Sequence, residues 1–243
     1  MRIDGRSAHE MRPVEIVTGY QEHADGSALV SLGKTRVLCA ATIEDRVPQW
    51  VTSAGWLTAQ YRMLPRATVI RTPRNGSARE TEIEQLIGRA LRASLDLQAL
   101  GPRTIIIDCD VVQADGGTRT AAITGAYVAL ALAVGQLVLR AQVPAQTLRT
   151  AVAATSVALA NGEMLLDPSH AEDIQADVDC DVVMNAEGRL VEVHAPAATS
   201  FSREQLDRML DLAAPPIEHL LDLQRRALAQ ERIEEEYHAR PSE

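Results

Sequence analysis

Gln113 to Thr120, written QADGGTRT, combines residue types that can hold an anion. It follows the apolar run RTIIIDCDVV and leads into AAITGAYVALALAV. Gly116 and Gly117 let backbone amides turn toward a ligand with no Cβ in the way. Thr118 adds a hydroxyl donor. A helix starting at the same point would present unsatisfied amides and the positive end of its dipole, which favours phosphate. Arg119, in the first turn, would add a bidentate donor. The same residues also suit an ordinary strand-to-helix turn with Asp115 or Thr118 as N-cap.

Two further groups of residues extend the chemistry. Residues 62–79 carry five arginines (62, 66, 71, 74 and 79) and no acid. Interleaved Pro, Gly, Thr and Asn make this run a loop rather than a helix face, and arginine-rich loops suit RNA backbone contact. Arg79 stands apart near Ser77 at a helix start, where it could aim a second donor at a phosphate. The stretch HAEDIQADVDCDVVM offers Asp173, Asp177, Asp179 and Asp181. A carboxylate pair suits a hard cation such as Mg²⁺, and one member could act as a general acid. On a strand Asp177, Asp179 and Asp181 share one face. For Asp177 and Asp181 the expectation is the wet face of a half-buried strand. The six histidines show no ligand spacing and read as structural or surface residues.

Helices and strands must carry these groups. Strands are expected at SALVSL, TRVLCAATI, RTIIIDCDVV, TAVAATSVALA, MLLD, ADVDCDVVM and LVEVHA. Asn161-Gly162 predicts a tight hairpin and Asn185–Gly188 a looser one. A helix opens at the capping box Ser77-x-x-Glu80 and runs to about Leu97. A second spans about Thr118 to Leu139. A third opens at Ser202-x-x-Gln205, with a break or kink expected at Pro215-Pro216. Strands in hairpins followed by long helices, in both halves, predict an α+β fold. No linker is evident, so one domain over 1–243 is expected, with an acidic helical tail fraying from about 231.

Composition sets the outer limits. A 243-residue chain with 46% hydrophobic and 3% aromatic residues has a core of Ala, Val, Leu and Ile. Three scattered cysteines read as buried thiols of a reducing cytoplasm, with no disulfide framework or zinc site. No secretory signal opens the sequence. The uncharged stretch from Ala121 to Leu139 reads as a buried core helix rather than a membrane span. The net charge is −9, yet residues 163–192 hold nine acids and one arginine, so the negative total conceals a positive loop.

Together these residues resemble the ribonuclease PH family of phosphate-dependent tRNA exoribonucleases. The likeness is densest over IIDCDVVQADGGTRTAAITGAYVALA and continues through RPVEI, TRVLCAATIE, GWLTAQYRMLP, EIEQLIGRALRASLDL and DVVMNAEGRLVEV. The resemblance implies the ribonuclease PH fold, a duplicated βαβα arrangement like domain 2 of ribosomal protein S5. It implies a ring-shaped homohexamer built as a trimer of dimers, and phosphorolysis of tRNA and other RNA 3′ ends with inorganic phosphate as co-substrate. Arg79, Gly117, Thr118 and Arg119 match the family's phosphate site. Asp173 and Asp179 match its magnesium-linked catalytic acids, with Asp179 protonating the leaving 3′-oxygen. Arg66, Arg71 and Arg74 match its RNA-gripping loop. Departures are Glu80 beside Arg79, Gln60 in place of a glutamate, a shorter arginine loop, HAPAATS after VEV, and Pro215-Pro216. A non-catalytic or weakly active RNA-binding ring protein is the alternative on the same fold. A metal-dependent phosphohydrolase using water is the alternative in chemistry.

Overall fold

The computed structural model describes residues 2–52 and 54–238. Its first sheet contains β1 (Val14–Thr18), β2 (Gly26–Leu32), β3 (Thr35–Glu44), β4 (Trp56–Met63) and β5 (Thr104–Gln113), in the order β1-β2-β3-β5-β4. Only the β4–β5 pair is parallel, so the chain between them must cross over. It does so through the loop 64–77, α1 (Ala78–Arg92) and the short α2 (Leu97–Leu100). The second sheet is antiparallel throughout. It contains β6 (Val152–Ala160), β7 (Glu163–Leu166), β8 (Val178–Asn185) and β9 (Leu190–His194), in the order β7-β6-β8-β9. The remaining helices are α3 (Thr118–Leu139), α4 (His170–Asp173) and α5 (Arg203–His238).

α3 lies between the sheets, touching β2 and β3 on one side and β6 on the other. Its small side chains make that possible: Ala122, Ala126, Ala129 and Ala133 are fully buried. A Cβ on Gly125 would come within 2.6 Å of Val30 Cγ2 and 2.9 Å of Cys39 Sγ, so the backbone itself contacts the sheet there. The larger anchors Ile123 and Leu130 are also fully buried, each stabilising the core by roughly 1.5–3 kcal/mol. This one helix long and apolar enough to span a membrane among the described residues is thus a core helix. β6 reads VAATSVALA without a charge because it too is buried along its whole length, with α3 and α5 packed on it. The Gln224 amide locks α5 to both, donating 2.9 Å bonds to Thr124 O and Val152 O.

Both hairpins and the α3 limits follow the sequence expectations. The Ser77–Glu80 and Ser202–Gln205 boxes both form. Three expectations need correction. The first helix stops at Arg92, not Leu97. Ser94 turns its hydroxyl back onto Leu91 O, and Asp96 caps α2 by accepting from the Gln98 and Ala99 amides. β1 and β4 were not among the expected strands, and Arg62 belongs to β4 rather than to the arginine loop. α5 runs unbroken through Pro215 and Pro216. A proline inside a helix costs about 3 kcal/mol. Burial of Met209, Ala213, Ile217 and Leu220 against the second sheet offsets that cost. The last part of the expected frayed tail, residues 239–243, lies outside the described residues.

Candidate active site

α3 begins differently from α1. α1 has a serine cap, whereas the N-cap of α3 is Gly117, in the left-handed region at φ +64, and no side chain caps it. Neither Asp115 nor Thr118 takes the capping role. Gly116 is left-handed as well, at φ +80. The first amides of a long buried helix therefore have no side-chain acceptor. The residues that carry them line a cleft of about 690 Å³ whose walls include Gly116, Gly117, Thr118, Arg119, Arg79, Asp173 and Asp179. Tyr61 donates a 2.8 Å hydrogen bond to Thr118 Oγ1. Burial pushes the Tyr61 phenol up to about 12, so it stays a donor and leaves the Thr118 proton for another acceptor.

Arg119 is held by carboxylates. Its Nη2 pairs with Asp179, and its Nε lies 2.9 Å from Asp181 Oδ2. Burial opposes its charge, but the two carboxylates more than compensate, and its pKa is raised. Asp181 is 1% exposed and bonds Ser156 Oγ at 2.8 Å through its other oxygen. The Arg119 contact is at ion-pair distance but off the hydrogen-bond axis, so Oδ2 is buried without a hydrogen bond. Burial pushes the Asp181 carboxyl up to about 7, against the pull of Arg119 and with repulsion from Asp179 added. The wet-face expectation for Asp181 is thus wrong: the α3 N-terminus covers that face. Asp177 is half-buried at the rim of a second cleft.

Asp173 ends the one-turn α4, whose capping box is closed by Glu172. Burial and the neighbouring Asp179 push its carboxyl up, while Arg119 and Arg79 pull it down. Asp173 and Asp179 are hard anionic oxygen donors, which fits Mg²⁺, with Asp179 paired to Arg119 in this state. Among the described residues no cluster of three or more His, Cys, Asp or Glu could form an all-protein cage. An ion held here would complete its shell with water and phosphate oxygens, as Mg²⁺ commonly does.

Arg79 is the second residue of α1 and is exposed. Glu80 does not neutralise it. Its carboxylate closes the α1 cap on Ser77 N at 2.8 Å, and its other oxygen lies 3.4 Å from Met63 N. The second cleft, of about 460 Å³, shares Arg79, Arg119, Asp173 and Asp179 and is bounded by His194, Pro196, Ala197 and Ala198. The HAPAATS segment stays pinned to β8 at this point. Asp179 N donates to Pro196 O at 3.1 Å, and Ala198 N to Asp177 O at 2.8 Å.

Arg66, Arg71 and Arg74 are exposed on the loop beside the first cleft, and the wall itself is made by Thr68, Val69, Ile70, Thr72, Pro73 and Asn75. Arg62 does not join them, because Glu84 of α1 pairs with it. The structure thus brings Arg79, Gly117, Thr118, Arg119, Asp173 and Asp179 to one cleft and keeps the three loop arginines at its edge. Sequence reasoning missed Tyr61 and His170, which line this cleft, and placed Asp181 on a wet face. Tyr61 alone had a signal, since Leu57, Ala59 and Tyr61 alternate inward along β4. The free, buried states of Cys39, Cys109 and Cys180 agree with the structural-thiol reading.

Comparison with known proteins places this geometry. Residues 10–135 match the model of the 3′ exoribonuclease family, domain 1, and residues 150–214 match domain 2. The ribonuclease PH of Solibacter usitatus is 52% identical over 233 residues, covering 93% of this chain and 98% of that protein. That of Moorella thermoacetica is 50% identical over 236 residues, covering 94% of each. In fold, rice Rrp46 aligns with a TM-score of 0.79 at 21% identity, over 93% of this chain and all of that one. The Archaeoglobus fulgidus exosome with RNA bound to the active site gives 0.78 at 22% identity, over 90% and 91%. The α+β architecture is the ribonuclease PH fold, and the chain belongs to the ribonuclease PH family of 3′ exoribonucleases.

Proposed function

We infer that the chain is a phosphorolytic 3′-to-5′ exoribonuclease that trims the 3′ ends of tRNA precursors. An oxygen of inorganic phosphate attacks the phosphorus of the 3′-terminal nucleotide. The bond to the 3′-oxygen of the preceding nucleotide breaks, that oxygen takes a proton, and a nucleoside diphosphate leaves. The observation that carries the reading is the uncapped α3 N-terminus sharing one cleft with Arg79, Arg119, Asp173 and Asp179. Two anions must meet in this reaction, and fixed cationic donors lower their repulsion. Thr118, the α3 amides, Arg79 and Arg119 would bind the attacking phosphate. Orientation of this kind is worth roughly 7–11 kcal/mol of barrier.

Incoming phosphate competes with Asp179 for the Arg119 guanidinium. The released carboxylate can accept the proton that the attacking hydrogen phosphate gives up as its oxygen bonds to phosphorus, and pass that proton to the leaving 3′-oxygen. Asp173 and Asp179 would also hold Mg²⁺, which supplies charge neutralisation when bound. Arg66, Arg71 and Arg74 would contact RNA phosphates upstream of the scissile bond. The match of both family domains and the likeness to exosome rings support an oligomer, and we propose a hexamer built as a trimer of dimers. Three unpaired thiols suit a reducing compartment, and we place the enzyme in the cytoplasm as one functional domain.

The test uses a tRNA with extra 3′ nucleotides and Mg²⁺, with and without inorganic phosphate. Phosphate-dependent release of nucleoside diphosphates is expected. Release of monophosphates without phosphate would establish a hydrolase instead, and RNA binding without cleavage would establish a non-catalytic ring protein.

A further inference from the structure

We propose that Arg12 and Thr35 are positioning residues for the phosphate step, holding the Asp115–Thr118 loop from behind and tying it to the turn that carries Asp173. The inference rests on the phosphate reading above. Arg12 is 5% exposed and all its guanidinium nitrogens are engaged, so it cannot itself bind phosphate. Its Nη1 donates to Asp115 O at 2.5 Å, and its Nη2 lies 3.4 Å from Gly116 O. Thr35, fully buried, donates from Oγ1 to the same Gly116 O at 2.7 Å and accepts from Asp115 N at 2.9 Å.

These contacts fix direction. In a trans peptide the carbonyl and the following amide point opposite ways. Anchoring the Asp115 and Gly116 carbonyls into Arg12 and Thr35 turns the Gly116 and Gly117 amides away from those anchors. Both glycines line the cleft. The flexible residues that let the nest form are thereby prevented from relaxing out of it.

The same guanidinium reaches the second half of the site. Arg12 Nη2 lies 2.5 Å from Asp167 Oδ1, and Nε donates to Oδ2 at 2.8 Å. Asp167 is left-handed at φ +48, a conformation that a non-glycine residue keeps only when its surroundings hold it. Arg2 and Arg6 do so, donating to its carbonyl at 2.9 and 3.1 Å. Directly after it, Pro168 and Ser169 lead into α4 and Asp173. A Cβ on Gly116 would sit 2.5 Å from Pro168 O, so loop and turn are in backbone contact. One buried bidentate pair therefore sets both the orientation of the phosphate amides and their distance from the acid.

The experiment compares wild type, Thr35→Val, Thr35→Ser and Arg12→Lys in the full chain. It measures kcat, the KM for inorganic phosphate, the Kd for RNA, and the Tm rise caused by inorganic phosphate. Thr35→Val and Arg12→Lys are expected to raise the phosphate KM roughly tenfold or more, since small misplacements of binding groups have large effects. They should leave RNA Kd unchanged and lose most of the phosphate-induced Tm rise. Thr35→Ser keeps the hydroxyl and should restore wild-type values. Unchanged phosphate KM and Tm rise in folded Thr35→Val or Arg12→Lys would overturn the proposal. Thr35→Val breaks no ion pair and keeps the volume, so its failure to fold would also overturn it, in favour of a purely structural role. A wild type without phosphate-dependent release would sink the functional reading instead, and the phosphate-induced Tm rise separates the two failures.

Discussion

A single methyl group added at Gly116 or at Gly117 distinguishes two parts of the phosphate loop. Both positions are left-handed, at φ +80 and +64, so alanine at either costs about 1–2 kcal/mol of backbone strain. Their surroundings differ. At Gly116 the new Cβ would lie 2.5 Å from Pro168 O and 2.9 Å from His170 N, both backbone atoms of the turn into α4. At Gly117 it would meet Arg12 Nη2 and Leu32 Cδ2, each at 3.1 Å, milder contacts than those at Gly116, and the leucine end can give by a few tenths of an ångström. Overpacking against rigid atoms adds about 1–3 kcal/mol. Gly116→Ala should therefore destabilise the protein by about 2–5 kcal/mol and Gly117→Ala by about 1–2 kcal/mol. Urea unfolding measures both. Gly116→Ala should also push the loop off the Asp173 turn and raise the phosphate KM more than Gly117→Ala does. Equal or reversed costs would refute the claim that the loop is wedged against that turn.

Arg119→Ala should lower kcat/KM by roughly 10²–10³, the usual loss for one preorganised donor, while RNA affinity at low salt persists; steady-state kinetics and a binding titration check this. Asp181 gives a pH signature. Its carboxyl is held near 7 rather than its ordinary 3.8, so the folded state keeps a proton that the unfolded chain has lost. That stabilisation is complete below the ordinary value and disappears as pH rises through about 7. The Tm of Asp181→Asn should thus gain on wild type between pH 5 and pH 8, and an unchanged difference would remove the assignment. Glu172 has the opposite sign: Arg2 holds it down at about 2, so its contribution is present above its ordinary 4.5 and lost as pH falls through about 2. Glu172→Gln should therefore be destabilising at neutral pH, with the gap to wild type narrowing in acid unfolding curves. Replacing Arg66, Arg71 and Arg74 by alanine should reduce the salt slope of RNA binding by about 2, given about 0.7 per phosphate contact on single strands. An unaltered slope would place those arginines off the RNA.

What the sequence revealed, and what it concealed, divides along contact distance. The Ser77 and Ser202 boxes, the Asn161-Gly162 turn and the start of α3 are set by neighbours in the chain, so their residue types announce them. The glycine loop that leads into α3 was legible for the same reason. The bracing behind it was not. Arg2, Arg6 and Arg12 look like a polar leader, but their partners Asp167 and Glu172 lie 155–170 positions away, and burial reverses their apparent role. Asp181 was misread because strand alternation gives faces but not what covers them, and here the covering element is α3 from the other half. The two prolines in α5 broke the local rule because tertiary packing of its apolar face outweighs it. β4 went unseen because its arginine merged with those of the following loop, although Leu57, Ala59 and Tyr61 already marked an inward face.

The central claim is that inorganic phosphate is the attacking reagent at the α3 N-terminus. Following isotopically labelled inorganic phosphate during digestion of a tRNA precursor tests it most directly. The label should appear in the β-phosphate of the released nucleoside diphosphate, one labelled phosphate for each nucleotide removed, and its appearance should slow roughly 10²–10³-fold with Arg119→Ala. Unlabelled monophosphates carrying oxygen from water would contradict it.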